Sequence, residues 1–135
     1  MKKVIVVSKT HLDLGFTDYA ENIRQKYIDT FIPEAIDLAE KVNTPDKKYF
    51  VWTTGSWILK EALKDPQQKD KLTKAIKDGN IAPHAMPFTT HTELLDVDSL
   101  DFGLSLVDNL DEIRGKKTIS AKMTGTGFAP LCVRR

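Results

Sequence analysis

The stretch Val4-Ile5-Val6-Val7-Ser8-Lys9-Thr10-His11-Leu12-Asp13-Leu14-Gly15-Phe16 decides the fold. Four β-branched residues in a row mark a strand covered on both faces, the habit of parallel sheets. After Met1-Lys2-Lys3 the run superficially suggests a signal peptide. It is too short for the apolar region of a leader and meets Ser8-Lys9 at once. Read as a strand, it leaves residues 10–16 at its carboxyl end, where parallel α/β folds collect their chemistry.

The pattern beyond it alternates between short apolar runs and helical periods. Asp18 and Glu21 form a capping pair, after which Ile23, Tyr27, Phe31, Ala35, Leu38 and Val42 recur at helical spacing. Pro33 inside that pattern is expected to kink or divide the helix. Residues 49–52 form the second strand candidate, and Gly55-Ser56 opens a short helix to about Leu63. Asp65-Pro66-Gln67-Gln68 is a strong helix start, with Leu72, Ala75 and Ile76 inward and Gly79 as the stop. A third strand is expected over 81–88, weakened by Pro83 and Pro87. A helix over 99–114 follows, with Leu100, Leu104, Val107 and Leu110 on one face and Gly115 as its stop. Residues 118–123 read as a fourth strand.

The order β-α-β-α-β-α-β calls for parallel strands and right-handed crossovers, hence an α/β fold. A closed barrel needs about eight strands, so four make either a small open sheet or the first half of a barrel. Residues 1–124 are read as one partial β/α domain and 125–135 as an irregular tail.

Composition narrows the function classes. Hydrophobic content of 41% and charged content of 29% are those of a globular protein. The 20 basic and 19 acidic residues nearly cancel and alternate along the chain, so no basic stripe for nucleic acid is present. Cys132 is the sole cysteine, which rules out an internal disulfide and suits a reducing compartment. No segment is long enough to span a bilayer. A cytoplasmic protein binding neither membrane nor nucleic acid is expected, although a leader removed on maturation would leave the same chain.

If the strands are as assigned, four segments meet at their carboxyl ends: 9–16, 53–55, 89–93 and 124–125. His11 and Asp13, two apart in extended chain, face the same side. Imidazole with carboxylate suits Zn²⁺ or another divalent metal. His91 is a candidate third ligand or a general acid–base, with Glu93 as a second catalytic candidate. The alternative for His91 is a hydrogen bond within a hydroxyl-rich loop. His84, inside a strand, reads as a packed structural histidine. Trp52 and Trp57 are both expected in the core, with Trp57 also a candidate stacking surface for a sugar. Asp18, Asp96, Asp98 and Asp101 read as caps and first-turn acids.

These pieces resemble the N-terminal catalytic domain of family 38 glycoside hydrolases, the zinc-dependent α-mannosidases. The resemblance rests on V-I-V-V-S-K-T-H-L-D-L-G-F, V-W-T-T-G-S-W and G-N-I-A-P-H-A-M-P-F-T-T-H-T-E-L, in that order over roughly residues 3–123. It implies a seven-stranded (β/α) barrel, retaining hydrolysis of α-mannosides, zinc held by His11 and Asp13, and a substrate-facing aromatic at Phe16 where the family has tryptophan. The family's nucleophilic aspartate falls on Thr92, which cannot form a glycosyl ester. The family's later histidine ligand has no counterpart within these 135 residues.

The function expected from the resemblance is therefore a divergent, α-mannosidase-like domain acting on carbohydrate, with hydrolysis a property of a complete enzyme and this chain alone inactive. An inactive remnant that self-associates through unfinished sheet edges, or binds carbohydrate, is the alternative. A metal-dependent carbohydrate deacetylase ranks last, for want of a histidine pair at i, i+4.

Overall fold

The computed structural model describes residue 2, residue 4 and residues 6–122. Ile5, Met123, Thr124, Gly125 and the expected tail over 125–135, with Cys132, lie outside the described residues, as does the side chain of Glu93. Three strands form one parallel sheet in chain order: β1 (Ser8–Lys9), β2 (Trp52–Gly55) and β3 (Ile81–His84). Ser8 pairs with Trp52, and Trp52 through Gly55 pair with Ile81 through His84. The crossovers are helical, with α1 (Ala20–Lys26) and α2 (Ile32–Val42) before β2, then α3 (Ser56–Ala62) and α4 (Pro66–Lys77) before β3. Helices α5 (Val97–Ser105) and α6 (Asp108–Arg114) follow. The protein is an α/β fold of consecutive parallel β/α units.

The first crossover carries the effect of Pro33. Tyr27–Phe31 is a π-helical turn, in which the amide of Ile32 bonds to the Tyr27 carbonyl five residues back. The proline ring that follows would clash with a carbonyl four residues behind it, and the widened turn removes the clash. One extra residue also rotates the apolar face. Ile28, Ile32, Ala35, Ile36 and Ala39 are buried, while Leu38, expected inward on an uninterrupted helical period, is 45% exposed. Tyr27 stacks on Trp52 with ring centroids 6.4 Å apart, which joins this helix to the sheet. Asp18 accepts from the amide of Tyr19 and from Asn22. Glu21 pairs with Arg24, so the expected reciprocal capping pair does not form.

The second unit matches its sequence signals. Asp65 caps α4 by accepting from the Gln67 amide, Pro66 occupies its first turn, and the chain leaves it at Gly79 with φ +72°. Leu72, Ala75 and Ile76 face the core with Ile58, Leu59, Trp52 and Ile81.

Four expectations about extent are corrected. Within the run expected over 4–7, Val4, Val6 and Val7 are not in a strand and are exposed. Ser8 already faces the first residue of β2, so Val6 and Val7 meet no opposing residue of that strand. Residues 49–51 do not join β2, and Asn43 takes the backbone groups of Tyr49 and Phe50. Its amide nitrogen donates to the Phe50 carbonyl and its oxygen accepts from the amides of Tyr49 and Phe50. β3 ends at His84 rather than at Phe88, since the carbonyls of Met86 and Pro87 turn to accept from Ser56 and Trp57, first-turn amides of α3. The helix expected over 99–114 is two helices, beginning earlier at Val97 where Asp96 accepts from the Ser99 amide. It divides where Leu106 and Val107 bond three residues back and Ser105 donates to the Phe102 carbonyl.

The expected fourth strand is not formed over 118–122. The segment nevertheless lies beside the end of β3, through a bond from the Ala85 amide to the Ser120 carbonyl. Thr118 is fastened to α6 by Asp111, which accepts from its amide and hydroxyl. Among the described residues no helix is long and apolar enough to cross a membrane.

Candidate functional site

The carboxyl ends of the three strands converge on a small polar cluster. Beyond β1 the chain stays extended, with the Thr10 amide bonded to the Thr53 carbonyl and the Thr10 hydroxyl donating to Thr54 at 3.1 Å. Leu12 is buried at 3% exposure. In extended chain its neighbours His11 and Asp13 then point the other way, and both are partly exposed. The Leu12 carbonyl accepts from the Thr89 amide, which ties the loop after β3 to the loop after β1.

His11 Nε2 and Asp13 Oδ1 are 3.0 Å apart. On the other side of the ring, Lys122 Nζ is 3.1 Å from Nδ1, and the Thr89 hydroxyl is 3.4 Å from the same atom. A protonated lysine can only donate. Nδ1 is therefore an acceptor, and Nε2 carries the proton and donates it to Asp13. The result is a line of carboxylate, imidazole and ammonium drawn from two separate segments.

Behind this line Thr10, Leu12, Gly55, His84, Phe88, Thr89 and Lys122 enclose a recess of about 10 Å³, wide enough for one water-sized atom. His84 is buried, and its Nδ1 has no hydrogen-bond partner. Burial, reinforced by the charges of Lys122 and Lys9, lowers its pKa to about 4, so the ring is neutral at pH 7. Burial and the nearby Lys9 also hold the Lys122 ammonium below the ordinary lysine range, against the opposing pull of Asp13.

The structure brings His11 and Asp13 together as the sequence suggests, and it buries His84 and Trp52 as expected. His91 is exposed and precedes the short 3₁₀ turn Thr92–Leu94. Among the described residues no three His, Cys, Asp or Glu side chains gather as a metal-binding group, so His91 is not joined to the pair. Phe16 is 85% exposed. Trp57 is half-buried, edge-on to Phe88 with ring centroids 5.9 Å apart, and Phe88 lines the recess. Sequence reasoning missed Lys9, Lys122 and the Thr10–Thr54 pair. Lys122 was signalled by its place at the end of the expected fourth strand.

No protein-family model matches the chain, and neither a curated protein nor a solved structure is found similar to it.

The pair can be tested against the zinc that the α-mannosidase resemblance implies. Zinc requires three or four protein donors, and the described residues bring two. A histidine that ligates through Nε2 must carry its proton on Nδ1 and usually donates it to an acceptor. Here Nδ1 meets an ammonium, another donor. Among the described residues His11 and Asp13 are thus two donors brought together, with Nδ1 of His11 turned to an ammonium.

Proposed function

We propose that this chain is a carbohydrate-binding domain of α-mannosidase type, which engages its sugar at the carboxyl ends of the parallel strands. The observation that carries the reading is the convergence of His11, Asp13, Thr89 and the half-buried Trp57–Phe88 pair at one end of the sheet. A carboxylate and hydroxyls match the hydroxyl groups of a sugar, and an indole face supports its ring. Thr92 stands where the resemblance puts a nucleophile and forms no glycosyl ester, so binding rather than turnover is the activity of this chain. The test is a titration of the isotope-labelled chain with methyl α-mannoside, alongside an assay with a chromogenic α-mannoside. Saturable shifts at His11, Asp13 and Trp57 without hydrolysis are expected. Unmoved resonances at high sugar concentration would remove the reading.

A second reading is favoured by the exposure of Val4, Val6 and Val7 beside β1, which pairs with β2 alone among the described residues. An apolar run next to a free sheet edge invites pairing with a second copy of the chain. Sedimentation over a concentration series separates the readings. Dimerisation that Val6→Lys abolishes supports self-association, and a monomer at all concentrations ends it.

A further inference from the structure

The cluster at the strand ends is richer in positive charge than a neutral sugar requires. Among the described residues no carboxylate lies within ion-pair distance of Lys9 or Lys122. Lys122 spends a hydrogen bond on the neutral acceptor His11 Nδ1, and the nearby carboxylate of Asp13 is already bonded to Nε2 of the same ring. Lys9 is near enough for its charge to act on both His84 and Lys122. Beside Lys122 is the recess lined by the hydroxyl-bearing Thr10 and Thr89, with the unpartnered His84 in its wall. Two ammonium groups near one another, with only Asp13 among the described carboxylates close enough to act on Lys122, leave an excess of positive charge. A buried polar nitrogen such as His84 Nδ1 is normally satisfied by a partner.

We propose that the recess bounded by Thr10, His84, Thr89 and Lys122 binds one oxygen of an anionic group, a carboxylate or a phosphate. The recess admits a single oxygen, so the rest of the anion remains outside, toward His11 and Asp13. Lys122 and Lys9 supply charge, the Thr89 hydroxyl, only 3.4 Å from His11 Nδ1, can turn to donate, and the His84 ring nitrogen can donate as its tautomer allows. The carrier of that group rests on the sugar-binding reading, which makes the ligand a phosphorylated or carboxylated sugar. The anion site itself does not rest on it.

The experiment uses the full chain labelled with ¹⁵N, following backbone amides and histidine ring nitrogens. Inorganic phosphate and acetate are titrated separately, each against potassium chloride at equal ionic strength. Mannose 6-phosphate, glucuronate and methyl α-mannoside follow. Saturable movement of the His84 and His11 rings and of the Thr10 and Thr89 amides by phosphate or acetate is expected, and the tighter of the two names the anion. Lys122→Met should weaken that binding about tenfold, the size of one charge-assisted hydrogen bond, and Lys122→Arg should keep most of it. Lys9→Met, at an exposed position, tests the charge without threatening the fold. Equal shifts with chloride, or unchanged affinity in both methionine variants, would overturn the proposal. So would displacement of these signals by Zn²⁺ but by neither anion. Phosphate binding with no gain from an attached sugar would uphold the anion site and sink the sugar reading. Response to methyl α-mannoside alone would do the reverse.

Discussion

The unit from Trp52 to His84 and the polar end built from residues 10–13, 89 and 122 differ in how they are held. In the first, β2, α3, α4 and β3 enclose Ile58, Leu59, Leu72 and Ile81 without solvent exposure. Its backbone is closed by caps and a four-residue parallel ladder. In the second, the strand shrinks to Ser8–Lys9, one backbone bond ties residue 120 to residue 85, and the side chains that meet are charged or polar. Apolar burial specifies the first region tightly. The second is fixed by few contacts, yet it gathers the groups able to bind something, as binding loops on a rigid scaffold do. Rigidity and chemistry are divided between neighbouring parts of one sheet.

The sharpest way to break that division lies at Gly55, where the two regions touch. A methyl group there would stand 2.2 Å from the Pro87 carbonyl oxygen, a backbone atom with little room to give. Gly55→Ala should cost about 3 kcal/mol or more in urea unfolding. Gly15→Ala, in the polar end, has open space around it and φ +81°, so it should cost only about 1 kcal/mol. Equal costs would mean that the packed unit is no tighter than the loop.

The register of the first helix gives a second contrast. Ile36→Ala removes a fully buried side chain and should cost about 3 kcal/mol, whereas Leu38→Ala should change stability by less than about 0.5 kcal/mol. The reverse order would restore the uninterrupted helical period and exclude the π-helical turn.

A third test uses pH. The His84 pKa lies at about 4 in the folded chain against an ordinary value of 6.5. Between those values the unfolded chain holds a proton that the folded chain refuses. This contribution is therefore flat above about pH 6.5, falls as pH drops toward 4, and levels off below it. The loss reaches on the order of 3 kcal/mol, and His84→Leu should remove this part of the acid dependence. An unchanged acid limb in the variant would assign the effect to other groups.

What was legible in the sequence follows the same division. The signals that worked are local and carry their own physics: Asp65 with Pro66 for the start of α4, Gly79 for its end, and Pro33 for the break in the first helix. The signals that failed depended on distant partners. A β-branched run 4–7 reads as buried strand only where a neighbouring strand faces it, and Ser8 already meets the first residue of β2. Residues 49–51 look like strand, yet Asn43, six to seven residues earlier, takes the backbone groups of Tyr49 and Phe50. At the site, His11 and Asp13 were readable because they are two residues apart on one strand end. Lys122, 111 residues from His11, could be placed near the strand ends but not paired with His11, since nothing local couples a lysine to a histidine at that separation. That lysine makes the pair part of a hydrogen-bonded line of carboxylate, imidazole and ammonium.

The most direct measurement pairs stability with binding in Lys122→Met, using thermal unfolding and phosphate titration on one preparation. Lys122 belongs to the polar end and contributes nothing to the apolar core. The melting temperature should therefore stay within about 2 °C of the parent, while phosphate affinity falls about tenfold. A melting temperature lowered by more than about 5 °C with phosphate affinity intact would make Lys122 a structural strut and contradict a binding site at the strand ends.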